Sequence, residues 1–395
     1  MKKRITVLTQ YYKPEIGAPQ NRLLEMITGL KKHGWEVSVI TAMPNYPQGK
    51  IFNNYRRKLF YINKVDDVDV FRTWLYASNS SYAIPRIFSM LSFSFMAMSS
   101  LIFLLKKKPD ILLVESPPLT LGVTGVILSK LVGAKFVFNV SDLWPLTAKE
   151  LGAISDGVFY KFLELIERFL YKNASVCLGQ SAEIVDYIKK HGANKVYLFR
   201  NGVAPERFKN IITLEKKPRT LVYAGLLGVA QGLLKICKKL DFKSLEVDFH
   251  IYGDGREKVE ICQYLNDNPD KGIFYHGSVS RSEIPSVLKL YSASLIVLVK
   301  NIYGAVPSKI YESMAAGLPI FFSGAGEAVS IINENNLGWC SKPNHFSELE
   351  NNIKNAFNDN IEFEKKINNC ILISKHKFNR TEQIEELSIY LSNKI

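Results

Sequence analysis

The residues best suited to chemistry lie in the segment GAVPSKIYESMAAGLP, residues 304–319. Its helical part, Ile310 to Ala316, carries the acid Glu312, and Lys309 immediately precedes it. A carboxylate in this place can accept hydrogen bonds from a diol, and an ammonium group beside it can bind phosphate. The segment therefore predicts one half of a site for a sugar nucleotide, and the rest of the chain has to supply the other half.

Three polar loops in the first half of the chain each follow a predicted strand. In TQYYKPEIGAPQNR, Gly17 precedes a helix start, where backbone N–H groups can approach an anion. In AMPNYPQGK, Asn45 and Tyr46 are available for contact with an acceptor. In VSDLWP, Asp142 can bind sugar hydroxyl groups, act as a base, or cap the next helix. A simple turn and a plain surface loop explain the first two loops equally well.

The second half carries three loops of small residues at roughly even spacing along the chain, YAGLLGVAQG, IYGDGREK and HGSVSR. Small residues let a backbone approach phosphate closely. Arg256 or Lys258 can reach a diphosphate from the second loop, and Val279 can contact a nucleobase from the third. None of them is the GxGxxG fingerprint of dinucleotide sites. Their order and spacing together favour one nucleotide-binding region.

The elements that position these loops alternate apolar strands with helical patterns. Continuous Val, Ile and Leu runs indicate parallel strands covered on both faces, and strands separated by helices predict doubly wound sheets. In such sheets ligands bind outside the carboxyl ends of the strands, where the polar loops lie. The predicted strands are residues 5–9, 37–41, 68–72, 111–115, 135–140, 176–179 and 196–199, and then 220–225, 247–253, 273–277, 294–299 and 319–323.

This pattern restarts once along the chain, which predicts an α/β protein with two Rossmann-like domains facing a central cleft. We assign residues 1–200 to an acceptor-binding domain and residues 201–218 to a linker. Residues 219–375 form the predicted nucleotide-sugar-binding domain. Residues 376–395 form a terminal helix that can pack back on the first domain.

Composition limits the classes of function. The 395 residues, 47% hydrophobic and 22% charged, suit a globular protein of two domains. Five cysteines without paired or zinc-type spacing predict reduced thiols in the cytoplasm, and the N-terminus has no signal-peptide pattern. The net charge of +14 is compatible with nucleic acid, an anionic membrane or a phosphorylated substrate. Because no nucleic-acid-binding motif occurs, we expect no nucleic-acid partner.

Residues 87–105, IFSMLSFSFMAMSSLIFLL, form the strongest membrane signal and end in the triplet Lys106–Lys108. The run reaches the length of a membrane-spanning helix only when its serines are counted. A span would also interrupt the α/β alternation. We therefore predict a domain helix, which either lies on a bilayer surface or covers the sheet as an ordinary buried helix.

The whole motif set, from residue 4 to about residue 370, resembles the retaining glycosyltransferases of family 4, which have the GT-B fold. The motifs YYKPEIGAPQNR, PNYPQGK, SDLWP, YAGLLGVAQG, YGDGREK and PSKIYESMAAGLP are most similar to a branch that builds O-antigen and capsule, which includes N-acetyl-L-fucosamine transferases. The resemblance implies that Glu312 holds the ribose diol. It implies that Ser308, Lys309 and the loop near Gly17 face the donor diphosphate, and that Val279 packs on the nucleobase.

Three departures from the family pattern change the expected roles. Many members have a second glutamate where this chain has Gly304. The usual Arg/Lys pair of the second domain is replaced by Leu226 and Gln231, so the diphosphate charge falls to Lys309 and Arg256. Many relatives also carry a histidine near VSDLWP, where this chain has Ser141 and Asp142.

The function implied by the resemblance is retaining transfer of an acetamido-deoxyhexose, with N-acetyl-L-fucosamine as the best guess, from a UDP-sugar to a polyprenyl-diphosphate-linked saccharide. The expected place is the cytoplasmic face of an anionic inner membrane, during O-antigen, capsule or lipopolysaccharide synthesis in a bacterium. Lys309 and Asp142 are the catalytic candidates, and we expect Glu15, Asn45, Tyr46 and Asp142 to contact the acceptor. No cofactor or metal is expected. A UDP-sugar 2-epimerase of the same fold and a non-catalytic sugar-binding protein remain the alternatives.

Overall fold

The computed structural model describes residues 3–15, 17–80, 82–209, 211 and 216–394. Contacts divide the chain into two units, the first made of Met1–Arg200 with Glu382–Ile395 and the second of Asn201–Thr381. The residues predicted as a linker fall within the second unit, and positions 210 and 212–215 of that linker lie outside the described residues. The last helix starts in the second unit and continues in the first.

The first unit is built on an eight-stranded sheet in the order β3-β4-β2-β1-β5-β6-β7-β8. Every neighbouring pair is parallel except β3 and β4, which form an antiparallel hairpin. The strands are β1 Arg4–Leu8, β2 Glu36–Ala42, β3 Phe60–Val65, β4 Val68–Thr73, β5 Ile111–Ser116, β6 Lys135–Val140, β7 Val176–Gly179 and β8 Val196–Leu198.

Helices cover both faces of this sheet, as its continuous apolar strands require. Its helices are α1 Ala18–Lys32, α2 Ala83–Met96, α3 Leu101–Lys107, α4 Leu119–Val132, α5 Leu146–Glu150, α6 Val158–Asn173 and α7 Ala182–Lys190, with short 3₁₀ turns at Asn53–Tyr55 and Ala97–Ser100. The chain's last helix, α15 Arg380–Lys394, joins α1 in one core, where Trp35 Nε1 donates to Ser388 Oγ at 2.9 Å. Helices α4 and α6 pack on the opposite face, against Phe136 and Phe138.

The second unit is built on a fully parallel six-stranded sheet in the order β11-β10-β9-β12-β13-β14. Its strands are β9 Thr220–Ala224, β10 Asp248–Tyr252, β11 Ile273–Tyr275, β12 Ala293–Val297, β13 Ile320–Ser323 and β14 Gly338–Ser341. Its helices are α8 Leu233–Lys239, α9 Lys258–Asp267, α10 Ile284–Leu288, α11 Lys309–Ala315, α12 Glu327–Glu334, α13 Phe346–Ala356 and α14 Asn360–His376, with a 3₁₀ turn at Pro205–Phe208.

The predicted α/β class with two doubly wound domains is confirmed, and each predicted strand is present within a residue or two of its expected bounds. Two strands were missed. Strand β3 is an edge strand whose residues alternate between exposed and half-buried positions, so it lacks the apolar run used to find parallel strands. Strand β14 has only four residues, GWCS, at the other sheet's edge.

The strand orders fix where a ligand can bind. In the first sheet the order reverses between β1 and β5, and in the second it reverses between β9 and β12. At such a reversal the two neighbouring connections leave on opposite sides of the sheet and open a crevice at the carboxyl ends of the strands. A ligand-binding site is therefore expected in the loops after these four strands.

Helix α6 is held against the rest of the first unit by the buried carboxylate of Glu167. Its Oε1 accepts a hydrogen bond from Tyr171 at 2.7 Å, and its Oε2 accepts one from Tyr187 on α7 at 3.3 Å. Burial is the largest effect and raises the pKa of Glu167 to about 7, although the two hydroxyl groups act in the other direction. Tyr171 lies on α6 itself, so the hydrogen bond to Tyr187 of α7 is the one that helps to fix which face of α6 points inward.

We predict that Glu167 makes the unfolding free energy depend on pH. Because its folded pKa lies above the ordinary value of 4.5, its contribution is complete below pH 4.5 and is lost as pH rises to about 7. The difference amounts to about 3 kcal/mol. Urea unfolding at several pH values should show this decline in the wild type and a clearly flatter profile in Glu167→Gln, which keeps a hydrogen-bonding side chain. Identical profiles would contradict the assignment.

Candidate active site

The loops that follow β9, β10 and β11 form one hydrogen-bonded layer at the carboxyl edge of the second sheet. The Gly225 N–H donates to the Tyr252 carbonyl oxygen at 2.9 Å, and the Gly253 N–H donates to the Gly277 carbonyl oxygen at 2.8 Å. A Cβ atom added at Gly253 would lie 1.8 Å from the Gly225 carbonyl oxygen. The small residues of these loops are therefore needed for backbone to pass against backbone.

Lys309, the first residue of α11, reaches this layer at the point where the strand order reverses. Its ammonium nitrogen lies 5.0 Å from the centre of the Tyr223 ring, and its side chain packs against Gly225, where an added Cβ would come within 2.3 Å of Cε. Desolvation lowers the pKa of Lys309, and the charge of Glu312 acts in the opposite direction. Among the described residues, no protein acceptor hydrogen-bonds this half-buried ammonium group. A charge that burial disfavours and that no protein acceptor hydrogen-bonds is suited to bind an anion.

Glu312 follows Lys309 by three residues, almost one turn of α11, and makes a different contact. Its Oε1 accepts a hydrogen bond from Arg207 Nη1 at 3.1 Å, and the same guanidinium group donates through Nη2 to the Arg281 carbonyl oxygen at 3.1 Å. About a quarter of the side-chain surface of Glu312 remains exposed, 26%. Within the described part of the chain, its Oε2 accepts no hydrogen bond. One oxygen is thus fixed by the protein, and the other is available for a hydroxyl group.

The other predicted donor residues lie around these two. Ser308 is exposed at the start of α11, Arg256 is exposed in the loop after β10, and Val279 is half-buried in the loop after β11. Gly304 has a φ of 81°, in the left-handed region, which explains why a glutamate is disfavoured at that position. Gly17 belongs to the first unit, where its carbonyl oxygen accepts the first hydrogen bond of α1.

Glu15 has a structural role that its sequence position did not indicate. Its carboxylate is buried and accepts backbone hydrogen bonds from Tyr12 at 3.1 Å, Asn45 at 2.7 Å and Tyr46 at 2.8 Å. Burial raises the pKa of Glu15 to about 7, against the effect of these three donors. Glu15 therefore ties the loop after β1 to the loop after β2. Asn45 is also buried, which leaves Tyr46 as the exposed member of the set.

The crevice of the first sheet holds a polar network that sequence reasoning did not assign. Glu115, at the end of β5, accepts hydrogen bonds from Arg22 of α1, Asn139 of β6 and Ser141. Arg22 also donates to Ser141 Oγ. The signal that could have found Glu115 is its position, because it is an acid at the carboxyl end of an otherwise apolar predicted strand, residues 111–115.

Asp142 is the next residue after Ser141, a member of this network. The side chain keeps contact with solvent, yet the surrounding protein desolvates it enough to raise its pKa. The charge of Arg22 opposes this shift, and that of Glu115 adds to it. A carboxylate with a raised pKa beside hydroxyl and amide groups can accept a proton from a sugar hydroxyl.

Further buried polar atoms in the first unit lack protein partners. Among the described residues, both side-chain amide atoms of Gln10, Asn139 Oδ1 and Arg22 Nε are buried and make no hydrogen bond. Gln10 follows β1, and Asn139 lies near the end of β6, so these atoms border the strands that flank the crevice. Buried polar groups normally have partners, so this region is suited to a ligand rich in hydroxyl groups.

The predicted residues thus separate into two sets. In the second unit, Lys309 and Glu312 lie on one helix beside the loops that carry Arg256 and Val279. In the first unit, Glu15, Asn45 and Tyr46 are joined directly, and Asp142 stands next to the Glu115 network. No role was predicted from the sequence for Arg207 in the second unit, or for Arg22 and Glu115 in the first unit.

Comparisons with known families divide the chain in the same two parts. Residues 17–202 match the family described as "Glycosyl transferase 4-like domain", and residues 205–371 match "Glycosyl transferases group 1". Together the two matches span most of the chain.

Individual proteins with similar sequences or structures agree with these matches. A relative from Escherichia coli (strain K12), WcaI, provisionally described as a colanic acid biosynthesis glycosyl transferase, is 25% identical over 332 residues, which cover 80% of this chain and 81% of the relative. Sucrose-phosphate synthase from Thermosynechococcus elongatus superposes with a TM-score of 0.75 at 13% identity, covering 99% of this chain and 98% of the other. HepE from Anabaena, solved in complex with UDP, superposes with a TM-score of 0.70 at 14% identity, covering 98% and 99%.

We predict that Gly253→Ala destabilises the second unit far more than a matched glycine substitution. Its added Cβ meets a backbone oxygen, whereas the nearby Gly277, with a φ of 78°, has open space around its Cβ position. Both glycines have a positive φ, 150° at Gly253 and 78° at Gly277, so both variants carry backbone strain. The additional clash with a backbone oxygen should make Gly253→Ala lose at least about 2 kcal/mol more unfolding free energy than Gly277→Ala. Urea unfolding of both proteins measures this difference, and equal losses would show that the loops are not tightly layered.

Proposed function

Because both of its halves match glycosyltransferase families, the chain belongs to the glycosyltransferases with the GT-B fold, and we propose that it transfers an acetamido-deoxyhexose from a UDP-sugar to a lipid-diphosphate-linked saccharide. The description of WcaI supports a role in building a cell-surface polysaccharide such as O-antigen or capsule. The complex of HepE with UDP supports a uridine nucleotide as the donor. Retention of the anomeric configuration and N-acetyl-L-fucosamine as the sugar follow from the family resemblance.

The observation that carries this proposal is the position of Lys309. Glycosyl transfer from a nucleotide sugar places negative charge on the departing diphosphate. A partly desolvated ammonium group already lies at the carboxyl edge of the second sheet. It stabilises the transition state, where this charge develops, more than it stabilises the ground state, and so lowers the barrier. Tyr223 and Gly225 hold the side chain in place before the donor arrives, so little reorganisation is needed.

Glu312 supplies the second contact in the proposed donor site. Arg207 fixes one carboxylate oxygen, and the other accepts a hydrogen bond from a ribose hydroxyl group. Ser308 and Arg256 are exposed nearby and add donors for the diphosphate, while Val279 offers an apolar surface to the base. This division gives Glu312 a binding role and leaves the stabilisation of the leaving group to the cations.

The first unit is proposed to bind the acceptor. Asn139, Gln10 and the Glu115 network offer hydrogen-bonding groups to a saccharide, and Tyr46 offers an exposed aromatic ring. Asp142 is proposed to take the proton of the attacking hydroxyl group, because desolvation raises its pKa and so makes its carboxylate a stronger base than an ordinary aspartate. Glu15 then acts as a positioning residue for the loop that carries Tyr46.

We predict that Lys309→Gln lowers kcat/KM for transfer by about 10²–10³, because a fixed charge that stabilises the leaving group is lost. Glu312→Gln should mainly raise KM for the donor, by about tenfold, because it weakens binding of the ribose. Lys354→Gln, which changes an exposed lysine on α13 of the same unit, is the matched control and should keep wild-type activity.

The assay uses UDP-sugars and a polyprenyl-diphosphate-linked N-acetylglucosamine acceptor, and the products are identified by mass. Full activity of Lys309→Gln or of Glu312→Gln would reject the site. Release of an epimerised free sugar without extension of the acceptor would favour an epimerase, and binding without turnover would favour a sugar-binding protein.

We also predict that transfer needs no divalent metal, since the leaving-group charge is assigned to side chains. The rate should stay the same after treatment with EDTA and after addition of Mg²⁺ or Mn²⁺. A rate that falls with EDTA and returns with either ion would contradict this assignment.

A further inference from the structure

We propose that the outer face of α2, α3, α4 and α6, here called the outer helical face, docks on the surface of an anionic lipid bilayer. The inference goes beyond the transfer reaction and does not depend on it, because it follows from exposed side chains on one side of the first unit. It extends the membrane signal of residues 87–108 to two further helices that the sequence gave no reason to include.

The helices of this face lie side by side on one side of the sheet. Helix α4 contacts α2, α3 and α6. An added Cβ at Gly122 of α4 would approach Leu170 of α6 to 2.6 Å, and Thr124 Oγ1 of α4 donates to the Ser94 carbonyl oxygen of α2 at 2.8 Å. The helices therefore form a continuous layer whose inner side is covered by the sheet.

The outer side of this layer exposes large apolar side chains from each helix. On α2 and α3 they include Phe88, Phe95 and Ile102, and Phe95 is 78% exposed. On α4, Leu131 is exposed, and on α6 the residues Phe162, Leu165 and Phe169 recur at helical spacing. Apolar side chains on several adjacent helices make a contiguous patch of the kind that marks an interaction surface.

Contacts on the buried side of α6 set its orientation and so keep its apolar side chains exposed. Its buried side is set by Glu167, Leu170 and Tyr171, with Glu167 hydrogen-bonded to Tyr171 and Tyr187. A rotation of α6 that hid the phenylalanines would take the Glu167 carboxylate away from the Tyr187 hydroxyl group of α7 and would expose the buried Leu170 and Tyr171. The apolar side chains of α6 are therefore held toward the outside by the polar contacts on its inside.

Charge identifies the partner as anionic. The four helices contain seven basic residues and only two acidic ones, and α2, α3 and α4 contain no acid at all. Of the two acids, Glu167 is buried and Glu164 is half-buried. Arg86, Lys106, Lys130, Lys161, Arg168 and Lys172 are exposed around the apolar residues. Phosphate headgroups beside an acyl layer satisfy this combination of cations and apolar side chains.

The geometry favours a helix lying on the bilayer over one that crosses it. By length and composition, Ile84–Lys107 is the one described helical stretch that could span a membrane. However, Phe93, Ala97 and Leu104 are buried in the unit, and Ser94 Oγ hydrogen-bonds Thr120 Oγ1 of α4 at 2.8 Å. A spanning helix would have to give up this packing, whereas a helix in the membrane plane keeps it.

The test measures co-sedimentation of the full chain with phosphatidylcholine vesicles, with and without phosphatidylglycerol. We expect wild-type protein to bind the anionic vesicles at least about tenfold more tightly, with binding that weakens as salt is added. Phe88→Ser/Phe95→Ser and Phe162→Ser/Phe169→Ser should each weaken binding about tenfold or more, because each pair removes two apolar anchors. Lys161→Gln/Arg168→Gln/Lys172→Gln should reduce the preference for anionic vesicles.

The matched control is Ile389→Ser, which changes an exposed apolar residue on α15, on the opposite face of the sheet, and should bind like the wild type. Unchanged thermal unfolding of every variant checks that the fold is intact. The proposal is overturned if the wild type ignores anionic vesicles, or if both phenylalanine pairs bind them normally. Dimerisation through this face without vesicle binding would also overturn it and identify a second copy as the partner. Donor binding in solution is measured separately, so failure here leaves the proposed reaction untouched.

Discussion

The ammonium group of Lys309 is the feature that best explains the arrangement of the loops in the second unit. The fold keeps it half-buried over the Tyr223 ring, where desolvation lowers its pKa and no protein acceptor among the described residues hydrogen-bonds it. Such a group costs free energy unless an anion arrives. Gly225 leaves room for the Lys309 side chain, Gly253 lets its loop pass close to the Gly225 backbone, and the strand order reverses between β9 and β12. These features have a common explanation if an anionic ligand binds there.

The corresponding crevice of the first unit is balanced differently. There the cation, Arg22, is paired with Glu115, and Asn139 and Ser141 complete the network. A neutralised pair attracts a phosphate less than a free cation does, but its hydrogen-bonding groups suit a neutral saccharide. The two units therefore share a doubly wound sheet with one reversal of strand order and differ in charge, as we would expect if one binds the donor and the other the acceptor.

Much of the fold could be predicted from the sequence, because apolar runs mark parallel strands. Local spacing also placed Lys309 and Glu312 on one helix, and their role in binding a donor stays a prediction. What the sequence hid are contacts between distant residues. Arg207 reaches Glu312 across 105 positions, and Arg22 reaches Glu115 across 93. Glu15 was expected to contact the acceptor, and the sequence did not reveal that its buried carboxylate joins the loop after β1 to the loop after β2. Likewise, the outward side of α6 is set by tertiary contacts of Glu167, which a helical pattern alone does not reveal.

Binding of the donor diphosphate by Lys309 can be measured by calorimetric titration with uridine, UMP and UDP. We expect the affinity of the wild type to rise strongly from uridine to UDP. In Lys309→Gln, most of that rise, about tenfold to a hundredfold, should disappear while uridine binds as before. An equally steep rise in the variant would contradict the claim and place the diphosphate against other cations.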